Sequence, residues 1–486
     1  MKIASSNIRI NDIFNDIFKD GSRLDRAIVS VREMLSLSSL VKACGGEKRN
    51  GHSVHQLIYL SLFLIPLGGS GGSILAFFRK RSVDQNKLSP ALYRFLRKAT
   101  INWRKFHMTI NTVMRNHFKK SFAREIREFP RVLIVDDTAL LKSGNKIGGI
   151  SHIHDHTDNR YKLGFKMLGM MYFNGFYTHF VDFSLHAEGK WSAKFRRLLG
   201  CSTAVGKRSK ELMQSKTSTI LAMIKRLRHF EVDYFLADSW FCSPKFIGEL
   251  LQNLPKSCHI LMHAKMNHTK YDYNGNQLNL KDLLQKLSRE QKQKRCKEYN
   301  THYFSCRIFR DGITYKVYFS RLSKRDKWVA FLSTDHQLSY IKAMRIYALR
   351  WNIEIGFREL KQQFNVGKSQ ANSFATQVAH ITLALSLHSL MSHYLACSNS
   401  LITMGDLFRE IEEEIQSTRL FGEHWLIFKE IILAISEQFG GANKMTVEQL
   451  LNTNAFLLVE SMIDEIAKWP GRWNSDFFIE GKELVA

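Results

Sequence analysis

The chain of 486 residues is 44% hydrophobic and 24% charged, a globular composition that excludes a disordered or fibrous protein. Its 71 Lys and Arg against 44 Asp and Glu give a formal net charge of +27, which points to a polyanionic partner: nucleic acid first, a membrane surface second. Residues 401–486 hold 7 Lys/Arg against 15 Asp/Glu, leaving 64 against 29 in residues 1–400, so a strongly basic body ends in an acidic region suited to a partner or subunit contact.

The N-terminus has no uninterrupted apolar run and reads as lacking a signal peptide. Residues 24–120 carry apolar residues at helical spacing, for example Ile28, Val31, Leu35 and Leu40. Gln56–Phe78 is long enough to span a bilayer, but Pro66 and the run Gly68-Gly69-Ser70-Gly71-Gly72 break it in the middle, so two short buried helices and no membrane span are expected. From Arg79 to Lys120 there are 12 Lys/Arg and one acid, Asp84, with Tyr93, Phe95, Trp103 and Phe106 interleaved. That one-sided charge reads as a grip on the DNA backbone; the plainer alternative is a solvated face over core aromatics.

Residues 131–138 form an apolar run that ends on Asp136 and Asp137, as in a buried strand with a polar tip. Lys166–Phe173 and Phe176–Leu185 read as strands joined at Asn174-Gly175. A basic helix is expected over about Lys207–Phe230, then a short strand from Val232 ending on Asp238, then a helix over about Pro244–Leu251. The order suits a mixed sheet flanked by helices, an α/β fold. In residues 255–335, strands are expected at His259–Lys265, His302–Phe309, Ile313–Leu322 and Trp328–Thr334, with a helix-like basic stretch at Lys286–Lys297. After Tyr340 the pattern is helical to the end.

On one continuous helix Tyr347, Arg350, Glu354 and Lys361 stand at about 0°, 300°, 340° and 320°, a stripe roughly 60° wide. Ile346, Leu349, Ile353, Phe357 and Leu360 provide a separate apolar side for burial. With the two strand-tip acids, Glu354 completes three carboxylates able to hold two Mg²⁺ ions, while Arg350 and Lys361 suit phosphate. No glycine-rich nucleotide loop accompanies them: Gly206-Lys207-Arg208-Ser209 lacks the preceding glycine, and phosphodiester exchange needs no nucleotide cofactor. The seven cysteines include no C-x-x-C pair, which argues against a zinc ribbon or disulfide framework and for a reducing compartment. His152, His154 and His156 alternate as strand ligands would, but without a Cys or Glu at ligand spacing they read as a loop of satisfied or phosphate-touching histidines.

Tyr-x2-Arg-x3-Glu-x6-Lys at Tyr347, Arg350, Glu354 and Lys361 resembles the signature of DDE transposases of the insertion sequence four family, and the element order is similar over roughly residues 50–395. The resemblance implies a ribonuclease-H-like catalytic core (residues 123–254 and 336–396) interrupted by a β-rich insertion (255–335). A basic helical DNA-binding region (1–122) precedes it, and an acidic helical region (397–486) follows, with Phe421, Trp425, Phe428 and Ile432 suited to dimer contacts. Asp137-Thr138 looks like the family's first acid motif, Asp238 its second and Glu354 its third, all three catalytic and metal-binding. Asp136 and Asp137 point to opposite faces of a strand; the strand frame alone does not decide between them, and Asp137 is chosen because Thr follows it.

Tyr347, Arg350 and Lys361 are the implied DNA-binding companions, and Trp328 resembles an insertion-domain Trp that stacks on a flipped base; its alternative is a core strand position. The implied activity is cut-and-paste DNA transposition with Mg²⁺ or Mn²⁺, two ions per site. It would act on terminal inverted repeats and target DNA as a synaptic homodimer, in a bacterial cytoplasm. A ribonuclease-H-like nuclease or resolvase, and a catalytically silent DNA-binding protein, are the alternatives.

Overall fold

The computed structural model describes residues 85–121, 129–155, 158–188, 202–369, 371–397 and 403–409, with scattered positions between 40 and 65. Most of the glycine-broken apolar segment, including Pro66 and the glycine run, His156 and nearly all of the acidic C-terminal region therefore lie outside the described residues. Among those described, no helix is long and apolar enough to cross a membrane.

The elements described in full start with α1 (Gln85–Leu96) and α2 (Trp103–Ser121), followed by β1 (Val132–Leu141), β2 (Ser151–Asp155), β3 (Arg160–Phe173) and β4 (Thr178–His186). Next come α3 (Ala204–Glu211), α4 (Lys216–Arg226), β5 (Tyr234–Ala237), α5 (Pro244–Asn253) and β6 (His259–Ala264). β7 (Lys270–Tyr273), β8 (Asn276–Asn279), α6 (Leu280–Glu290), β9 (Lys294–Cys296), β10 (Thr301–Arg310), β11 (Ile313–Arg321) and β12 (Val329–Ser333) precede α7 (Tyr340–Ala348), α8 (Trp351–Gln362) and α9 (Phe374–Cys397). The strands form one mixed sheet in the order β2-β3-β1-β5-β6-β12-β11-β10-β7-β8, with β4 also on β3 and β9 on β10.

β3 and β4 form the expected hairpin. Gly175 takes φ +99° at its turn, and the Asn174 side chain accepts from the amides of Phe176 and Tyr177, which closes the loop. At Asn274-Gly275 and Asp311-Gly312 both residues of each pair have positive φ, as a two-residue hairpin turn of the primed type requires. Leu133 and Val135 of β1, Leu168 and Met170 of β3 and Phe235 and Ala237 of β5 share a core with α4, α5 and α6. On the opposite face α8 packs on β1 and β3, and α9 and α2 pack on β4 and on each other.

Several expectations change. His259–Ala264 is bonded in parallel to Tyr234–Ala237, so the first strand of the segment read as an insertion extends the core sheet, and β12 pairs onto it from the other side. The basic helix at 207–230 is two helices, because Ser215 caps α4 by accepting from the Ser218 amide. The stretch at 286–297 is the end of α6 followed by β9. His152 and His154 lie on a strand, β2, rather than in a loop.

The interleaved aromatics Phe95, Trp103 and Phe106 are core residues, and Arg104 turns inward to Asp182 at 3.0 Å and Glu211 at 2.7 Å. Asp182 also meets Arg226 at 2.7 Å and Arg208 at 3.5 Å. Burial pushes its pKa up, but these guanidiniums outweigh it and hold the carboxyl well below the usual range. One buried acid thereby ties α2, α3 and α4 to β4.

Candidate functional site

The side chains of β1 alternate between the two faces of the sheet. Asp137 pairs in register with Leu168, which belongs to the core beneath α4, whereas Asp136 pairs with Gly169. A Cβ on Gly169 would stand 2.8 Å from Cε1 of Phe357, a residue of α8. Asp136 therefore faces α8 and Asp137 faces α4, where its carboxylate pairs with Lys216, the first residue of that helix. Gly356 of α8 complements Gly169: a Cβ there would come within 2.8 Å of Met171. Two glycines, one on the strand and one on the helix, let α8 press close to the sheet.

β5 runs parallel to β1, and the last pair of that ladder is Val135 with Ala237. One step further, Asp136 stands beside Asp238 and on the same face. β5 ends there while β1 continues to Leu141, so a cleft opens over the second half of β1. Brought over it by α8, Arg350 donates from Nη1 to Oδ2 of Asp136 at 3.1 Å and from Nη2 to Oε1 of Glu354 at 2.5 Å. Lys361 donates to Oγ1 of Thr138 at 2.6 Å, two residues beyond Asp136 on the same face. Asp136, Asp137, Thr138, Glu354, Arg358 and Lys361 are among the residues that line a cavity of about 450 Å³.

The continuous helix assumed for the Tyr347–Lys361 quartet is broken. The amides of Leu349, Arg350, Asn352 and Ile353 bond to carbonyls three residues back, so a tight turn separates α7 from α8, and Arg350 occupies the cap position of α8. Tyr347 ends up on α7, its ring 4.8 Å from Phe331 and 5.8 Å below the Arg350 guanidinium. The four residues still converge, through the turn rather than along one helical stripe.

Burial raises the Asp136 pKa to about 6, with Asp137 and Asp238 adding to the effect and the Asp137 amide and Arg350 opposing it. Asp238 goes the other way, to about 2. His263 on β6, with Nδ1 3.6 Å from Oδ1, is the main cause, and the Ser239 amide and Arg350 assist against the cost of burial. Neighbouring carboxyls thus differ widely in proton affinity. Burial pushes the Lys361 amine below its ordinary value.

Trp328 is not brought to this cleft. It alternates with Ala330 and Leu332 on the core side of β12, 5.3 Å from Phe304, with Arg321 4.4 Å over its ring, while Phe331 takes the face toward Tyr347. Conversely, sequence reasoning missed Lys216, His263 and Trp240, which reach the acids only through strand register and the α4 position. Trp240, two residues after Asp238, was legible only as a large apolar residue next to an acid; its 56% exposure belongs to the fold.

In kind, Asp136, Asp238 and Glu354 fit a hard divalent cation, being oxygen donors around one cleft. In spacing they are held apart by Arg350, and among the described residues no three His, Cys, Asp or Glu side chains stand close enough to hold a metal ion.

Residues 55–266 match the family model described as DDE superfamily endonuclease. The match includes Asp136, Asp137 and Asp238 and stops short of Glu354. A comparison with curated proteins found no match. Over that segment, which is less than half of the chain, the protein is similar to a superfamily whose cores are ribonuclease-H-like and whose members generally use divalent metal ions and act on DNA, and the DDE resemblance read from the quartet, the insertion and the acids agrees with it at that level.

Proposed function

From the premise of a DDE-endonuclease-like segment over residues 55–266, we propose that the chain is a DNA transposase that cuts and rejoins phosphodiester bonds at the cleft of Asp136, Asp238 and Glu354. The observation that carries this reading is the register step that sets Asp136 beside Asp238, with Glu354 joined to the same face through Arg350. Asp136, Asp238 and Glu354 would hold Mg²⁺ or Mn²⁺, and Asp137, on the other face, would act through its pair with Lys216. The chemistry such ions would supply there is activation of the attacking oxygen and neutralisation of charge at the leaving oxygen. Arg350, released from the carboxylates, offers a planar fork to the scissile phosphate, and Lys361 a point charge beside Thr138. Water attack breaks one P–O bond and leaves a 3′-hydroxyl; that hydroxyl in turn attacks target DNA, forming one phosphodiester as another is lost, so no nucleotide is consumed.

The insertion sequence four quartet, now spread over α7 and α8, supports cut-and-paste transposition at terminal inverted repeats over simple nucleolysis. The basic residues 1–122 are proposed to grip DNA, and residues 397–486 to join two copies in the synaptic complex. The test is cleavage of labelled donor DNA carrying both element ends, in Mg²⁺ or EDTA, by wild type and Glu354→Gln. Metal-dependent cuts at the element tips, absent in the variant, are expected. Cuts scattered without regard to the ends would make the protein a nuclease, and binding without any cut would make it a silent DNA-binding protein.

A further inference from the structure

Among the described residues Arg350 is the one cation that pairs with Asp136 and with Glu354, the first on β1 and the second on α8. The other two acids have partners of their own, Lys216 for Asp137 and His263 for Asp238. The bridge is partly sheltered: the Arg350 and Asp136 side chains are 15% and 20% exposed, and the Tyr347 ring lies beneath the guanidinium. The tight turn between α7 and α8 holds the backbone at Arg350, but its side chain makes no capping bond, so nothing at the helix end ties the long arm down.

A guanidinium keeps its charge at any working pH, so it can leave two half-buried carboxylates at low cost only if another cation replaces it. It can settle elsewhere only against another anion. If a divalent cation arrives alone, the guanidinium is stranded. If a phosphate arrives alone, it offers the fork two oxygens but leaves the carboxylates unpaired. When both arrive, every charged group has a partner. Arg358 and Lys361, which line the same cavity, favour a phosphate there.

We infer that Arg350 is a latch across two of the acids that DNA releases, so that a divalent cation and a DNA phosphate load the cleft cooperatively, each raising the affinity of the other by the same factor. The inference rests on the DNA-cleaving reading and adds to it how the site is kept shut away from DNA.

Mn²⁺ binding to the full-length protein is followed by the paramagnetic resonance of the free ion, with and without a DNA duplex, and the ion bound by DNA alone is subtracted. Wild type is expected to bind Mn²⁺ about 5- to 150-fold more tightly with the duplex. Arg350→Met should gain a comparable factor without DNA, and little more when DNA is added. Arg350→Lys keeps a positive charge but not the fork that spans two carboxylates, so it too should bind more tightly than wild type without DNA. If Arg350→Met fails to fold, Arg350→Gln must show the same gain. Glu354→Gln should remove the site in every state, which identifies the ion being counted. Three results would overturn the latch and leave the DNA-cleaving reading intact: no effect of the duplex on wild type, unchanged affinity in the Arg350 variants, or a gain in Arg350→Met that Arg350→Lys lacks. Mn²⁺ uptake that is nil, or that survives Glu354→Gln, would overturn both.

Discussion

The Arg350 guanidinium donates from Nη1 to Oδ2 of Asp136 at 3.1 Å, joining residues 214 apart in the chain. Asp137, its immediate neighbour, has no part in that contact and pairs with Lys216 on the opposite face. The two acids therefore have different work, and substitution separates them. Asp136→Asn should abolish metal-dependent strand cleavage as fully as Asp238→Asn does, whereas Asp137→Asn should leave a reduced but measurable rate. Single-turnover cleavage of labelled DNA reads the order; a larger loss from Asp137→Asn would return the first ligand to that position.

Gly169→Ala tests how α8 is seated. The new methyl would meet the Phe357 ring at 2.8–2.9 Å and the Phe180 ring at 3.1 Å, so the rings or the helix must shift. A cost of about 1–3 kcal/mol is expected, visible as a lowered urea midpoint. Cleavage should fall by more than the lost stability explains, because Glu354 and Arg350 ride on the displaced helix. Gly169→Ala with Phe357→Leu should recover part of both.

Lys361, half-buried and bonded to Thr138, is placed to hold one phosphate. Lys361→Ala should reduce the slope of log affinity against log salt by about one, uniformly across DNA sequences. An unchanged slope would leave Lys361 a structural tether of α8 to β1.

Acid should destabilise the fold. Burial holds the His179 pKa at about 3 and that of His107 at about 4, both below the ordinary 6.5. Above pH 6.5 folded and unfolded chains both carry these rings neutral. As the pH drops below that value only the unfolded chain gains the protons, and stability falls by about 1.4 kcal/mol per pH unit for each histidine. Asp136, raised to about 6, opposes this, since below that pH the folded chain takes up its proton first. Two histidines against one carboxyl leave a net loss, so Tm should drop between pH 6.5 and 4. Neither ring nitrogen of His179 has a hydrogen-bond partner among the described residues, so His179→Leu should flatten the slope by one histidine's share at little cost at pH 7.

Local sequence determined the elements themselves. The apolar run before Asp136, the Asn174-Gly175, Asn274-Gly275 and Asp311-Gly312 turns, and the α/β order follow from side-chain shape, burial and backbone freedom within a few residues. The spaced quartet of Tyr347, Arg350, Glu354 and Lys361 was legible in the same way as a set of groups for phosphate and metal chemistry. What those residues face was decided by tertiary contacts. Asp136 and Asp137 are equivalent to any local pattern, because a strand turns alternate side chains to opposite sides whichever way it is laid. Only the packing of α8 against Gly169, and of α4 against Leu168, makes one side the cleft. Trp328 is an aromatic on a strand under either reading until β12 turns it toward Phe304, and Trp240 becomes exposed only because the turn after Asp238 spends its burial on Phe241. Orientation on a sheet is a property of what covers each face, and those neighbours are distant in sequence.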